Sequence, residues 1–289
     1  MIFAWIEERR SEYPVAVLCR VLGVSRAGYH AWANRPPSDT ARRRDQLAER
    51  IRVVHAEVKG RYGSPRMTAE LNHRGIAVCV NTVAKVMRRH GLRARSTRRV
   101  VRTTDSRHRQ PVSENVLGRE FTASKPNQKW AMDVTYIPTL EGWLFLALVV
   151  DLFSRRIVGW AMDATMTSRV VVDALSMAVS RRGKVAGVIA HSDRGSQYAS
   201  DHFQAELRRH RMVGSMSGVG QCWDNAVIES TFGRMKVELV HGERYTTRDE
   251  AKASIFEYIE AFYNRIRRHS TLEYLTPDEF ERTHNPNSR

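Results

Sequence analysis

Asp133, Asp193 and Glu229 are three acids whose local sequence suits metal-dependent phosphoryl transfer on a polynucleotide. Asp133 stands inside a run of strand-forming residues, Trp130 to Ile137, and Asp193 ends a second apolar run that begins at Val188. Glu229 falls on an amphipathic helical pattern, with 35 residues between it and Asp193. Acids make up 31 of 289 residues, so an acid at any chosen offset is roughly a one-in-nine event and spacing alone decides nothing. The context carries the weight, because two strand acids and one helix acid can converge at the edge of a sheet. Attack on a phosphodiester needs an aligned nucleophile and neutralised phosphate oxygens, and two divalent metals roughly 3.5–4 Å apart meet both needs. Magnesium prefers carboxylate oxygens, so three carboxylates from separate elements suit a site for two Mg²⁺ ions. Asp133, mid-strand and so most rigidly placed, is expected to bridge both metals, with Asp193 and Glu229 each completing one. Unloaded, such carboxylates repel, and metal or a proton is needed to relax them.

Other acids compete for these roles. Asp151 lies at a strand end, Asp224 reads as the N-cap of the helix carrying Glu229, and Glu238 lies further along that helix. Asp193 has a second reading as a turn former with Gly195. Lys236 is seven residues after Glu229, two helical turns, and therefore shares its face. His191 reads as structural.

The elements that must hold these residues begin near residue 124. Strand-like runs occupy 129–138, 143–151, 156–163 and 186–191, with a weaker one at 212–217, and helical patterns fill 167–181 and 199–210. Three strands, a helix, a strand and then helices carrying the last acid is the order of an α/β, ribonuclease-H-like core with helices on both faces of a sheet. The helix with Glu229 is expected from about Asp224 to Leu239, and Thr247 with Glu250 makes a capping box for a last long helix ending near Arg268. The organisation expected is a helix-turn-helix-like segment at 1–35, a basic helical DNA-binding domain at 36–92, and an Arg-rich arm at 93–123. The catalytic core at 124–240 and a helical extension of it at 241–289 follow.

The formal charge of +16 points to a polyanion, with nucleic acid the leading partner. Residues 36–110 hold 19 basic and 6 acidic residues, whereas residues 111–289 hold 23 and 22, so the excess sits in one segment. Within those 19, arginine outnumbers lysine 17 to 2, which favours bidentate contacts to phosphates and bases. Residues 13–34 have helix-turn-helix spacing: Pro14 at a first helical position, Gly23 at an end, and Ser25 capping a second helix from Arg26 to Ala33. Leu47, Ile51, Val54 and Val58 predict an amphipathic helix over 41–59, and Ser64-Pro65 starts another through about Asn72. Asn81 is expected to cap a third helix ended by Gly91, whose Lys85, Arg88 and Arg89 make it the natural recognition helix for a major groove. Arg93, Arg95, Arg98 and Arg99 open a segment with almost no apolar pattern, read as an extended arm that orders on DNA or else as a plain flexible linker.

Cys19, Cys79 and Cys222 lie far apart and form no Cys-x-x-Cys pair, which argues against a disulfide scaffold or a zinc finger. No apolar stretch approaches a bilayer span and the amino terminus lacks a signal layout, so a reduced, cytoplasmic, nucleoid-associated protein with no membrane partner is expected.

These residues match a known family. Val24 to Trp32, Tyr62-Gly-Ser-Pro-Arg66, Trp130 to Thr135, His191 to Tyr198, and Asp224 to Glu229 followed by Lys236 resemble the second-reading-frame transposases of bacterial insertion sequences of the IS-three group, within the retroviral-integrase superfamily. Tyr263-Asn264, Arg267, His269, Leu272 and Thr276-Pro277 fit the same pattern, so the resemblance spans nearly the whole chain. It implies a DDE core in which Asp133, Asp193 and Glu229 bind Mg²⁺ or Mn²⁺, with Lys236 near the DNA. It also implies that the basic segment recognises double-stranded transposon ends. Such transposases act as multimers on paired ends and often depend on a first-frame protein that supplies a leucine zipper; no sustained heptad occurs here. Two other functions compete: a catalytically silent DNA-binding regulator, and an RNase-H-like nuclease, against which the large basic segment counts.

Overall fold

A computed structural model describes residues 2–36, 38–96, 113–218 and 222–284 of the chain. Three short helices come first: α1 (Ile2–Arg9), α2 (Val15–Val21) and α3 (Arg26–Ala33). They close on their own small core of Ile6, Leu18, Cys19 and Tyr29. Ser25 caps α3 as expected, its hydroxyl accepting from Gly28 N at 3.0 Å. Helix α1 has no counterpart in the sequence reading, which places no element before residue 13.

Three longer helices follow, α4 (Asp39–Glu57), α5 (Ser64–His73) and α6 (Val80–Arg89). Ser38 caps α4 through Ala41 N, and Gly91 ends the α6 region at φ +66°, a conformation glycine enters without strain. Asn81 is not a cap. Helix α6 begins at Val80 after Cys79, with no side chain capping it, so Asn81 is an exposed residue of the first turn.

The remainder is a five-stranded sheet wrapped by helices. Its strands are β1 (Lys129–Thr139), β2 (Gly142–Asp151), β3 (Ile157–Asp163), β4 (Ile189–Ser192) and β5 (Val213–Met216), in the order β3-β2-β1-β4-β5. The first three form an antiparallel meander, and β4 and β5 add in parallel to β1. Both faces are covered, as the near-continuous apolar β2 requires. One face packs α7 (Ser168–Arg182), α8 (Ser196–Ala199) and α9 (Asp201–Arg209) around Trp130, Met132 and Val149. Helix α7 approaches β3 so closely that a Cβ on Gly159 would sit 2.2 Å from the Ala174 carbonyl oxygen, a contact only glycine permits.

The other face packs α10 (Ala226–Glu238), α11 (Arg248–Phe256) and a π-helical continuation of α11 over Glu257–Tyr263. Thr247 caps α11 through Glu250 N, while Glu250 accepts from Thr246 N, one residue earlier than a strict capping box. Helix α12 (Pro277–His284) closes the described chain. Ile51, Val54, Met67, Leu71, Val83 and Met87 of α4–α6 belong to this same hydrophobic cluster, so those helices and the sheet share one core. Tyr62 seals the joint: its hydroxyl donates to the Ile266 carbonyl at 2.8 Å and accepts from Arg268 N at 3.0 Å.

Candidate active site

Strand register brings the two aspartates together. Met132 of β1 is paired with Ser192 of β4, and Asp133 and Asp193 are the next residues on these parallel neighbours. Strand β4 ends there, whereas β1 runs on, so the pair stands at a step in the sheet edge. Asp133 Oδ1 accepts from Val134 N at 2.8 Å. Asp193 Oδ1 accepts from Gly195 N at 2.9 Å, which is the turn anticipated for it and also what fixes the carboxylate in place. A Cβ on Gly195 would lie 3.0 Å from that same oxygen, so the tight turn favours glycine.

Glu229 projects from the first turn of α10, exposed, and Lys236 lies two turns on and half-buried. The Lys236 ammonium stands 4.8 Å from the centre of the Tyr136 ring, three residues along β1 from Asp133. The charges of these groups are felt at one carboxyl. Burial, then Asp193 and Glu229, push the Asp133 pKa well above the ordinary carboxylate value against the opposing pull of Val134 N–H and Lys236. Tyr198, fully buried beneath, is raised by burial and by both aspartates. Burial lowers the Lys236 pKa, with Tyr136 and Asp133 opposing.

Carboxylates gathered in this way repel one another, and hard divalent cations are what such oxygens accept. The donor chemistry therefore fits the expected metal. Among the described residues, however, no three His, Cys, Asp or Glu side chains close into a ligand set for one ion. The aspartates are neighbours, and the charge of the exposed Glu229 is felt at Asp133.

The competing acids are engaged elsewhere. Asp151 is fully buried, accepting from Asn127 N and Phe153 N at 2.9 Å each and pairing with Arg182 at 3.4 Å; burial raises its pKa despite these partners. Asp224 is not the N-cap of α10, a position held by Asn225. It lies in a preceding 3-10 turn and accepts from Arg119, Asn115 and Gly218 N; burial opposes its charge, but Arg119 and Gly218 N outweigh it and hold the pKa low. Glu238 is a buried structural acid. His191 is structural as expected, bonded to Ser215 at 2.8 Å and pushed down to about 4 by burial, hence neutral.

On the DNA-binding side, Lys85, Arg88 and Arg89 are exposed along α6, and Arg93 is exposed just beyond it. Arg95 departs from the expectation of a DNA arm. It folds back onto the core, donating to the Glu238 carbonyl at 3.2 Å and facing Glu243 at 3.9 Å. Arg98 and Arg99 lie outside the described residues. The sequence reading gives Tyr136 and Tyr198 no role at the site; a phenol among apolar neighbours reads as core, and the fold sets Tyr136 against the Lys236 ammonium and Tyr198 within reach of the charge of both aspartates.

Three family models match the chain: an HTH-like domain at residues 42–100 and two described as integrase core domain, at 123–222 and 229–284. The chain is 45% identical to the transposase InsF for insertion sequence IS3A of Escherichia coli (strain K12), over 97% of this chain and 98% of that one. It is 41% identical to a 31 kDa protein of insertion element IS600 of Shigella sonnei, over 91% and 97%. A chain of the simian T-cell lymphotropic virus intasome aligns with a TM-score of 0.49 at 16% identity, covering 83% of this chain and 76% of that one.

Proposed function

The chain belongs to the IS3 insertion-sequence transposases, and from that premise we propose that Asp133, Asp193 and Glu229 are the acids of its DNA strand-transfer site. Its integrase core and HTH-like domain make it a DNA-binding polynucleotidyl transferase of the divalent-metal-dependent class. The observation that carries the residue assignment is the strand register: Met132 pairs with Ser192, so Asp133 and Asp193 stand side by side at the step where β4 ends, with the charge of Glu229 also raising the Asp133 pKa. Asp133 and Asp193 would hold two Mg²⁺ or Mn²⁺ ions, with Glu229 completing the set from α10. Bound there, the metals supply charge neutralisation on the phosphate and a lowered pKa at the attacking hydroxyl or water.

The chain's own groups do the rest. The Gly195 N–H holds one oxygen of Asp193 and the Val134 N–H one of Asp133, so neither carboxylate has to reorganise as charge builds on the phosphate. Lys236, on the Asp133 side of α10, offers a cation to the DNA backbone beside the acids. The exposed cations of α6 and Arg93 engage double-stranded element ends, and pairing two ends calls for more than one copy on DNA, with a first-frame protein as a further partner.

A strand-transfer assay tests this with the purified full chain, element-end DNA carrying a free 3′-hydroxyl, and Mg²⁺. Glu229→Gln and Asp133→Asn should each lower joined product by about 10²- to 10³-fold or more, the scale of losing one preorganised electrostatic group. End binding should survive in both. Undiminished joining by either variant sinks the assignment, and binding without joining by the wild type favours a silent regulator.

A further inference from the structure

Two sequence motifs lie away from the acids, and they meet in one pocket. Arg66, from Tyr62-Gly-Ser-Pro-Arg66, and Tyr263, Arg267 and His269, near the carboxyl end, line a cavity of about 290 Å³ on the flank of α10. Arg155 and Arg234 add to it, with the hydroxyl-bearing Ser230, Ser270 and Thr271 around them. The wall that α10 contributes (Ala226, Val227, Ser230, Thr231 and Arg234) belongs to the same helix as Glu229.

The charge in the cavity is unbalanced. Four guanidiniums reach it, and one acid, Glu238, answers two of them: Arg66 at 2.9 Å and Arg267 at 2.7 Å. Arg155 is held in the left-handed region at φ +60°, and its Nη1 is buried with no hydrogen-bond partner among the described residues. An anion in the cavity would meet guanidinium charge that Glu238 answers only at Arg66 and Arg267. His269 adds no charge, since burial and then Arg267, Arg66 and Arg155 drive its pKa far down.

We propose that this pocket binds a phosphate group of the DNA backbone, seating one strand against α10 on the flank away from the acids. Planar guanidiniums and hydroxyls are the donors that phosphate oxygens accept, and the opening is walled by the helix that bears Glu229. The inference rests on reading DNA as the substrate, and its test does not depend on catalysis.

Two measurements on the full-length chain decide it, using Arg155→Gln and the exposed Arg234→Gln, which leaves the buried network untouched. The first is the thermal midpoint against inorganic phosphate at constant ionic strength. The wild type should rise and saturate, and both variants should lose most of that rise. The second is the slope of log affinity against log salt for element-end duplex, which each variant should reduce by about 0.9, the loss of one phosphate contact. Variants equal to the wild type in both overturn the proposal. A lost phosphate response with an unchanged slope overturns the DNA source and leaves free phosphate as the ligand. Failure of the strand-transfer reading would show instead as acid-to-amide variants that still join DNA, with the salt slopes unaffected.

Discussion

Arg267 grips Glu238 with two nitrogens, Nε to Oε2 at 2.8 Å and Nη2 to Oε1 at 2.7 Å, and both side chains are buried. Tyr258 donates to the same carboxylate at 2.8 Å and Arg66 at 2.9 Å. Removing the partner while the acid stays buried should be severe. Arg267→Met is expected to cost about 3–5 kcal/mol in chemical denaturation. A loss below about 1 kcal/mol would mean that Arg66 and Tyr258 suffice.

The same pair sets an acid limit on stability. Burial works against the Glu238 charge, but the Arg267 bonds and the nearby guanidiniums outweigh it and hold the pKa below the ordinary carboxylate value. A depressed folded-state pKa contributes stability that is present above the unfolded value and lost as pH falls through the folded one. Unfolding free energy should therefore drop below the usual carboxylate range, and Glu238→Gln should flatten that part of the curve. An unchanged curve in the variant would place the acid sensitivity elsewhere.

Asp133 has the opposite sign. Its pKa is raised by burial and by its acidic neighbours, so its contribution is present below the unfolded carboxylate value and lost as pH rises through the folded one. Asp133→Asn is thus expected to raise the melting temperature near neutral pH while joining is abolished, a stability gained where function is given up. Mg²⁺ should raise the melting temperature of the wild type and not of the variant. A variant less stable than the wild type without metal would contradict the electrostatic picture.

Arg88, exposed on α6, separates two kinds of contact. If it reads a base edge, alanine should cost about 1–3 kcal/mol of binding and relax preference at one base pair. A uniform loss across sequences with a salt slope smaller by about 0.9 would make it a phosphate contact. Competition binding with single-substitution end duplexes distinguishes the two.

Gly159→Ala tests the packing of α7 on β3. The new Cβ would lie 2.2 Å from the Ala174 carbonyl oxygen and 2.7 Å from the Ala178 Cβ, so helix or strand must shift. A cost of roughly 1–3 kcal/mol or more is expected in denaturant unfolding. A neutral substitution would show that this contact is slack.

Much of the catalytic core was legible because its strands alternate or run apolar and its turns carry Gly, Ser or Thr at caps; the ends of β1, β2 and β3 fall within a residue or two of expectation. Asp133 and Asp193 were legible for the same reason, each sitting where a strand pattern holds or stops. What escaped depends on distance along the chain. Glu238 meets Arg267 29 residues later and Arg66 172 residues earlier, separations that no local spacing encodes. Asn81 has a good capping side chain, yet the helix starts before it, because Val83 and Met87 set the helix phase against the shared core. The π-helical turn over Glu257–Tyr263 has no residue signature, since its i→i+5 bonding is imposed by packing.

Arg61 and Arg95 both donate to the Glu238 carbonyl at 3.2 Å, and Arg66 holds its carboxylate, so the helical domain clasps the last residue of the helix whose first turn bears Glu229. These bonds tie the HTH-like domain directly to the helix that carries Glu229. A linker would let one recognition event serve several scission points; a clasp makes the protein a gauge. If α4–α6 read the end and the acids of the core join it, the number of base pairs between the two is a dimension of the folded chain, and an element end lengthened by a single base pair should join less well.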